Sequence, residues 1–338
     1  MWDTMRELNL DAMIRPSPKD NRGPMMYIEA LDWKLPGIAP GRLVVIGGYV
    51  GNFKTLMGIN VLYNNVVNLR YNGCFISLEM YAKDIYRRLA VLHAGSPGFR
   101  KYNQTITMQK LINDGFSRDE EDFFYNMVVP DLQSNPKYGN ITIIDSLSLG
   151  SADIGTALYT VNENLKEKQG KDHGLHFVIL DYIQLYAQYW GNDREIDRIT
   201  ATGIVARGLK NMALTFDGRG ITVFALSQLS RAAFMAAKDQ IKNSHENNPY
   251  EYIYSVTSFA ESSEIERASD ACITIFSDDK LKEKHIAIVQ LIKNRDGETI
   301  DKGFEVLALP DVAYIGDMKL RRPPSAEAHI EYLLSDSL

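Results

Sequence analysis

The 338-residue chain has only two cysteines, Cys74 and Cys272, which excludes a disulfide framework, and no Cys/His grouping has zinc-site spacing. Positive charge is not in excess. Lys and Arg number 37 against 43 Asp and Glu, a formal net charge of -6, so the protein does not coat nucleic acid by bulk charge, although a local basic loop stays compatible. No apolar run reaches the ~18 residues that a membrane-spanning helix needs. The N-terminal sequence MWDTMRELNLDAMIRPSPKD is charged throughout and lacks the apolar core of a signal peptide. There is no internal repeat and no low-complexity tract. What is present is a hydrophobic content of 45%, which excludes disorder of the whole chain and suffices for a sizeable core. These features describe a mildly acidic globular protein without membrane partners, expected in a reducing, cytoplasmic compartment.

Residues 2–14 place Trp2, Met5, Leu8 and Met13 at helical spacing, and a break rich in Pro, Asp, Asn and Gly follows at Ser17–Pro24. An N-terminal arm over 1–30 is expected, with a frayed tail as the alternative. From Gly41 onward, apolar runs alternate with helical segments. Strands are predicted at Arg42–Ile46, Cys74–Leu78, Ile141–Asp145, Phe177–Leu180, Ile221–Leu226, Cys272–Phe276, Ile286–Ile292 and Gly303–Leu307. Helices are predicted at Thr55–Leu69, Lys83–Ala94, Ile154–Lys168 and Asp197–Phe216, with a more polar helical stretch between Arg100 and Lys137. Early strands that are apolar on both faces and alternate with helices indicate an α/β fold with a mostly parallel sheet covered on both sides. The closely spaced last strands are expected to pair antiparallel at one edge. One domain over 31–310 and a tail over 311–338, with an amphipathic Ala326–Leu334, complete the expected layout.

Five local patterns carry chemistry. Gly48-Tyr49-Val50-Gly51-Asn52-Phe53-Lys54-Thr55 lies between a strand and a helix and matches the phosphate-loop pattern G-x-x-x-x-G-K-[ST] at Gly48, Lys54 and Thr55. Backbone N–H groups at a helix N-terminus cradle phosphate, the Lys meets the β- and γ-phosphates, and the hydroxyl meets magnesium. Phe53 stands where the pattern has its second glycine, so its side chain must point away from a nucleotide, and Gly51 can restore some of the lost freedom. Asp181 ends the apolar strand FVIL, as a magnesium-binding acid would. Glu79, just past a neighbouring strand, can polarise an attacking water. Gln228, at the end of ITVFALSQ, can report on a γ-phosphate. Lys293 and Arg295 share one face of a late strand, which suits phosphate contacts made to a neighbouring subunit. The plainer alternatives are a Gly-rich turn with a surface lysine, a solvated Glu, a helix-capping Gln and a charged edge strand.

In order and wording these segments resemble one family, the RecA-like ATPase domain of DnaB-type replicative helicases. The matching phrases are SLEMYAKDIYRRL (77–89), ITIIDSLSLG (141–150), HFVILDYIQLY (176–186), VFALSQLSR (223–231), ESSEIERASDACITIF (261–276) and KNRDG (293–297). The resemblance implies a RecA-like P-loop fold and an ATP- and Mg2+-dependent helicase motor that acts on single-stranded DNA in replication. It further implies a homo-hexameric ring and replication partners such as a loader, primase or polymerase. Carried over to this sequence, Lys54 and Thr55 would hold phosphate and magnesium, with Gly48, Gly51, Asn52 and Phe53 completing the cradle. Asp181 would be the magnesium-binding acid, Glu79 the base, Gln228 the sensor, and Lys293 with Arg295 the trans-acting pair. DNA contacts would come from loops after DYIQL and after SQLSR, with Arg194, Arg198, Arg231, Lys238 and Lys242 as candidates. The family's N-terminal helical domain is not matched, and an Asn- and Tyr-rich segment between Ser230 and Glu261 looks like an insertion. A recombination-type ATPase and a nucleotide-binding assembly ring with little turnover are the competing readings, the latter motivated by Phe53 and by the unmatched N-terminal helical domain.

Overall fold

Leu43–Gly48 (β1) is buried along its whole length. It is flanked on one side by Thr222–Gln228 (β5) and on the other by Ala271–Phe276 (β6), both parallel to it. A computed structural model of the chain describes residues 23–318 apart from 114, 150–152, 193–195, 244–249, 252 and 260–262. The remaining strands among these residues are Gly73–Ser77 (β2), Ile141–Asp145 (β3), Phe177–Asp181 (β4), Ile286–Asn294 (β7), Ile300–Leu309 (β8) and Tyr314–Asp317 (β9). Together they form one sheet of order β3-β2-β4-β5-β1-β6-β7-β8-β9. Pairings from β3 to β6 are parallel and those from β6 to β9 antiparallel. The sheet is therefore the mostly parallel one with an antiparallel edge that the strand spacing predicts.

Alternation along each strand separates two cores. Val44, Ile46, Phe75, Ile179, Phe224 and Ile273 face one side, where Lys54–Leu69 (α1) and Ala82–Ala94 (α2) cover them. Val45, Cys74, Ile76, Val178, Val223 and Cys272 face the other, beneath Ile154–Gln169 (α3), Ile183–Asn192 (α4) and Arg198–Thr215 (α5). Both faces being covered is what makes these strands apolar throughout rather than alternating with polar residues.

Two segments depart from the sequence expectation. The stretch after DYIQL, expected as a loop, is helix α4, which buries Ile183 and Ala187 against α5 while Trp190 and Tyr186 half-cover the seam. The polar segment after SQLSR opens with a second helix, Arg231–Asn243 (α6), whose Ala233, Phe234, Ala237 and Ile241 face the core at helical spacing. Charges on its outer face hide that stripe in the sequence. The structured region also reaches past both expected limits. Met26 and Ile28 are buried in the main core, and β9 continues the sheet beyond residue 310. The expected helix over 2–14 and the segment Ala326–Leu334 lie outside the described residues.

Short helical turns between Pro97 and Ser134 form a satellite core around Phe123, Phe124 and Val128. A buried polar chain joins it to α1 and α2. His93 Nδ1 pairs with the Tyr63 hydroxyl at 2.7 Å and His93 Nε2 with Asp131 at 2.8 Å, while Tyr138 donates to the same carboxylate at 2.9 Å. Replacing His93 with Ala leaves the buried Tyr63 hydroxyl without its partner and opens a cavity, and is expected to cost about 2–4 kcal/mol of unfolding free energy in urea titrations. A loss below ~1 kcal/mol would show that the chain of hydrogen bonds is not what anchors the satellite core.

Candidate active site

Parallel strands deliver their following residues to a common edge, and five expected residues meet there. A glycine at the end of β1 relieves crowding: a Cβ at Gly48 would lie 3.0 Å from the Lys54 side chain and 3.2 Å from the Ile275 carbonyl. The chain then turns through two left-handed residues, Gly51 (φ 72°) and Phe53 (φ 59°, ψ 16°), before α1 begins at Lys54. Phe53 thus holds the backbone conformation usually left to glycine, at a cost of about 1–2 kcal/mol. Its half-buried ring packs against the core, which offsets that cost, but the ring also borders the cleft rather than turning wholly away from it. A helix that begins directly after such a turn leaves backbone N–H groups of its first turn available to an anion.

Lys54 folds back over this loop, its Nζ donating to the Tyr49 carbonyl at 3.0 Å. Burial pulls its ammonium below the ordinary lysine range, opposed by the carboxylates of Asp181 and Glu79. Asn52, expected in the phosphate cradle, borders the cleft with its side chain tied elsewhere. It is buried, its amide donates to the Ser277 carbonyl at 2.9 Å and accepts from the Ser277 N–H at 3.0 Å. Its own N–H is spent on the Tyr49 carbonyl at 3.1 Å. Asn52 therefore pins the loop to the end of β6.

At the end of β4, Asp181 accepts from the Thr55 hydroxyl at 2.7 Å through Oδ2. Its Oδ1 is buried without any hydrogen-bond partner. Burial pushes the Asp181 carboxyl up to about 6; the Thr55 bond opposes this, the Glu79 charge adds to it, and Lys54 opposes it again. An orphaned carboxylate oxygen beside a hydroxyl is a donor set that suits a hard, oxygen-seeking cation such as Mg2+. Glu79 is exposed on the neighbouring turn, which Ser77 fastens: its Oγ accepts from the Met80 N–H at 3.1 Å and donates to the Met80 carbonyl at 2.8 Å. Leu78 N–H donates to the Asp181 carbonyl at 3.0 Å, which locks the Glu79 turn to the Asp181 strand.

Gln228 ends β5 on the same edge. Its backbone is clamped by Gln184 of α4, a residue that the sequence reading passed over. Gln184 Nε2 donates to Ser227 Oγ at 2.9 Å and to the Gln228 carbonyl at 3.2 Å, and its Oε1 accepts from the Gln228 N–H at 3.1 Å. The one available signal was an amide inside the apolar phrase Ile183-Gln184-Leu185. Residues 50–56, Glu79, Met80, Arg88, Tyr182, Gln228 and Pro310 enclose a cleft of about 350 Å³.

Lys293 and Arg295 are elsewhere. Cys272 pairs with Lys293 and Ala271 with Asn294, so the pair sits where β6 begins, at the edge opposite the phosphate loop. Lys293 Nζ donates to the carbonyls of Glu266 and Ser269. Arg295 pairs with buried Asp270 at 2.9 Å, a carboxylate that also holds Lys210 at 2.6 Å and Arg42 at 3.6 Å. That hub was not anticipated, because ERASD reads as an ordinary helix end. Among the expected DNA contacts, Arg198 opens α5 and Arg231 opens α6, both exposed; Lys242 is exposed in the last turn of α6, and Lys238 lies 3.8 Å from Asp279. Arg194 is outside the described residues. Helices α4 and α6 leave the sheet from the edge that carries the phosphate loop.

Two outcomes follow from this geometry. The folded Asp181 carboxyl, at about 6, lies above the ~3.9 of an unfolded Asp, so the folded chain holds the proton more tightly and stability falls as pH rises between those values. In magnesium-free denaturation, Asp181→Asn is expected to flatten this decline and to be about 1–3 kcal/mol more stable than the parent at neutral pH; an unchanged pH profile would contradict the assignment. Phe53→Gly preserves the left-handed turn and is expected to change ATP affinity by less than about threefold, whereas a gain of about tenfold or more would show that the ring obstructs the cleft.

The DnaB-like helicase C terminal domain family matches residues 25–306. The replicative DNA helicase DnaB of Mycoplasma genitalium is 26% identical over 278 residues, covering 79% of this chain and 51% of that protein. Its counterpart in Haemophilus influenzae is 24% identical over 272 residues, covering 79% and 50%. The chain thus spans about half the length of these curated relatives. Two solved structures share the fold. A DnaB-like replicative helicase, described with its interactions with primase, superposes with a TM-score of 0.64 at 20% identity over 91% of this chain and 66% of that one. The ATPase domain of G40P gives 0.63 at 21% identity, covering 91% and 95%. With its phosphate loop, terminal acids and sheet order in place, the chain belongs to the DnaB-like helicase C-terminal domain family.

Proposed function

We propose that this chain is an ATP-hydrolysing helicase motor that acts on single-stranded DNA in replication as a homo-hexameric ring. The observation that carries the reading is the Thr55–Asp181 pair at the start of α1, with Asp181 Oδ1 left unpartnered and Glu79 and Gln228 on the same edge. The loop N–H groups and the Lys54 ammonium hold the β- and γ-phosphates. Glu79 accepts the proton of the water that attacks the γ-phosphorus in line with the departing ADP oxygen. Gln228, held by Gln184, meets the γ-phosphate and passes its presence or loss to α6. Thr55 and Asp181 would hold Mg2+, which when bound would neutralise phosphate charge.

Lys293 and Arg295 cannot serve the phosphate loop of their own chain from the opposite edge of the sheet. They serve instead the transition-state charge at a neighbouring copy. Arg198, Arg231, Lys238 and Lys242 supply backbone phosphate contacts, together with Arg194. A loader, primase or polymerase would complete the replication assembly; the solved DnaB-like helicase described with primase supports that class of partner. The assembly-ring alternative predicts ATP binding without hydrolysis by the parent chain.

The test is ATP hydrolysis with and without single-stranded DNA. The parent is expected to turn over ATP faster with DNA; Lys54→Ala binds ATP more weakly and loses turnover, and Glu79→Gln binds but hydrolyses about 10²–10⁴-fold more slowly. Arg295→Ala is expected to bind ATP and lose turnover in the assembled ring. ATP bound without hydrolysis by the parent would overturn the motor reading, and full turnover by Arg295→Ala would remove its trans role.

A further inference from the structure

Lys54 and Arg88 border the cleft. A further cation reaches the phosphate loop itself from a different element. After β6 the chain passes through Ser277 into the short helix Asp279–Glu283, capped by Asp278, whose carboxylate accepts from the Leu281 N–H at 2.9 Å. Lys282 lies in this helix, and its ammonium extends to the loop: a Cβ placed on Gly51 would stand 3.5 Å from Lys282 Nζ. Among the described residues no ion pair holds that ammonium.

The approach is built rather than incidental. The Asn52–Ser277 pair ties the residue after Gly51 to the residue that begins this segment. Ser277 Oγ in turn donates to the Ile286 carbonyl at 2.8 Å, which fixes the start of β7. The loop and the segment bearing Lys282 are thus fastened together by buried polar contacts, so the half-buried Lys282 side chain starts from a fixed backbone beside the loop.

Its side of the loop defines its role. Asp181, Glu79 and Gln228 end strands β4, β2 and β5, all on one side of β1; Lys282 follows β6, on the other side. A nucleoside triphosphate whose γ-phosphate lies against Glu79 and Asp181 directs its α-phosphate and ribose the opposite way. We propose that Lys282 is a nucleotide-binding residue that contacts the α-phosphate and ribose side of the bound nucleotide, complementing Lys54 at the β,γ end. The assignment rests on the nucleotide-site reading above and adds to it a residue that recognises ATP and ADP alike. An ammonium on an otherwise dispersed anion also compensates for a loop that has Phe53 in place of a glycine.

The experiment is a fluorescent-nucleotide displacement titration with ATP and with ADP, in magnesium buffer, on the parent, Lys282→Ala, Lys282→Arg and Lys54→Ala. Thermal unfolding without nucleotide serves as the check on folding. Lys282→Ala is expected to weaken ATP and ADP by the same factor, about tenfold, with Lys282→Arg restoring most of it. Lys54→Ala is expected to weaken ATP more than ADP. If Lys54→Ala weakens ATP while Lys282→Ala leaves both affinities unchanged, the Lys282 assignment falls and the nucleotide site stands. Loss of ATP affinity alone in Lys282→Ala would place the ammonium at the γ end and overturn the proposal as well. A parent chain that binds neither nucleotide overturns both readings together.

Discussion

Everything at the cleft depends on β1 being hydrogen-bonded in parallel on both flanks. A strand held that way has one end for arrival and one for departure, and its neighbours share that polarity. Residues that follow β1, β2, β4 and β5 are consequently gathered on a single edge without any need for proximity in sequence. Gly48 then lets α1 begin so close to the strand that the helix N-terminus opens directly onto this edge. Nothing in the chemistry of Lys54, Glu79, Asp181 or Gln228 brings them together; the polarity of the sheet does.

Holding them in place is a separate task, performed by buried amides and hydroxyls. Asn52 with Ser277 and Gln184 with Gln228 each join two segments that border the cleft, and Ser77 with Met80 closes the turn that carries Glu79. Fully paired polar contacts in a low-dielectric setting are directional and costly to break, so they fix the cleft's walls in the absence of a ligand. Asp181 is the exception. Its unsatisfied oxygen and raised protonation range are a standing cost of the folded chain, tolerated at the one place where an incoming cation can relieve it.

Much of this was readable in the sequence because it is expressed in local patterns. Apolar runs marked all of the strands from β1 to β8 to within a few residues, and RLVVI-GGYVGNFKT set a strand, a turn and a helix in order. Asp181 and Glu79 were findable because a charged residue directly after an apolar run is a local event. Gln184, Asp270 and Lys282 were not, because each acts across elements: Gln184 on a strand 44 residues later, Asp270 on three cations from separate segments, Lys282 on a loop more than two hundred residues earlier. Helices α4 and α6 were missed for a different reason. Aromatic and charged residues on their outer faces resemble a loop unless the apolar stripe beneath is counted. The left-handed Phe53 was also hidden, since composition names the residue but not the backbone it adopts.

The placement of Lys293 and Arg295 carries a consequence for symmetry. Under the proposed trans role, Lys293 and Arg295 lie at one edge of the sheet and the phosphate loop at the other, so the two features can meet only between copies arranged front to back. In such a contact each copy gives with one surface and receives with a different one. It can never be a two-fold pairing of identical patches, and a pair of chains joined this way always leaves one cradle and one cationic edge unsatisfied. The series ends only by closing on itself or by running on as a helix, and the tilt between successive sheets is the quantity that decides which.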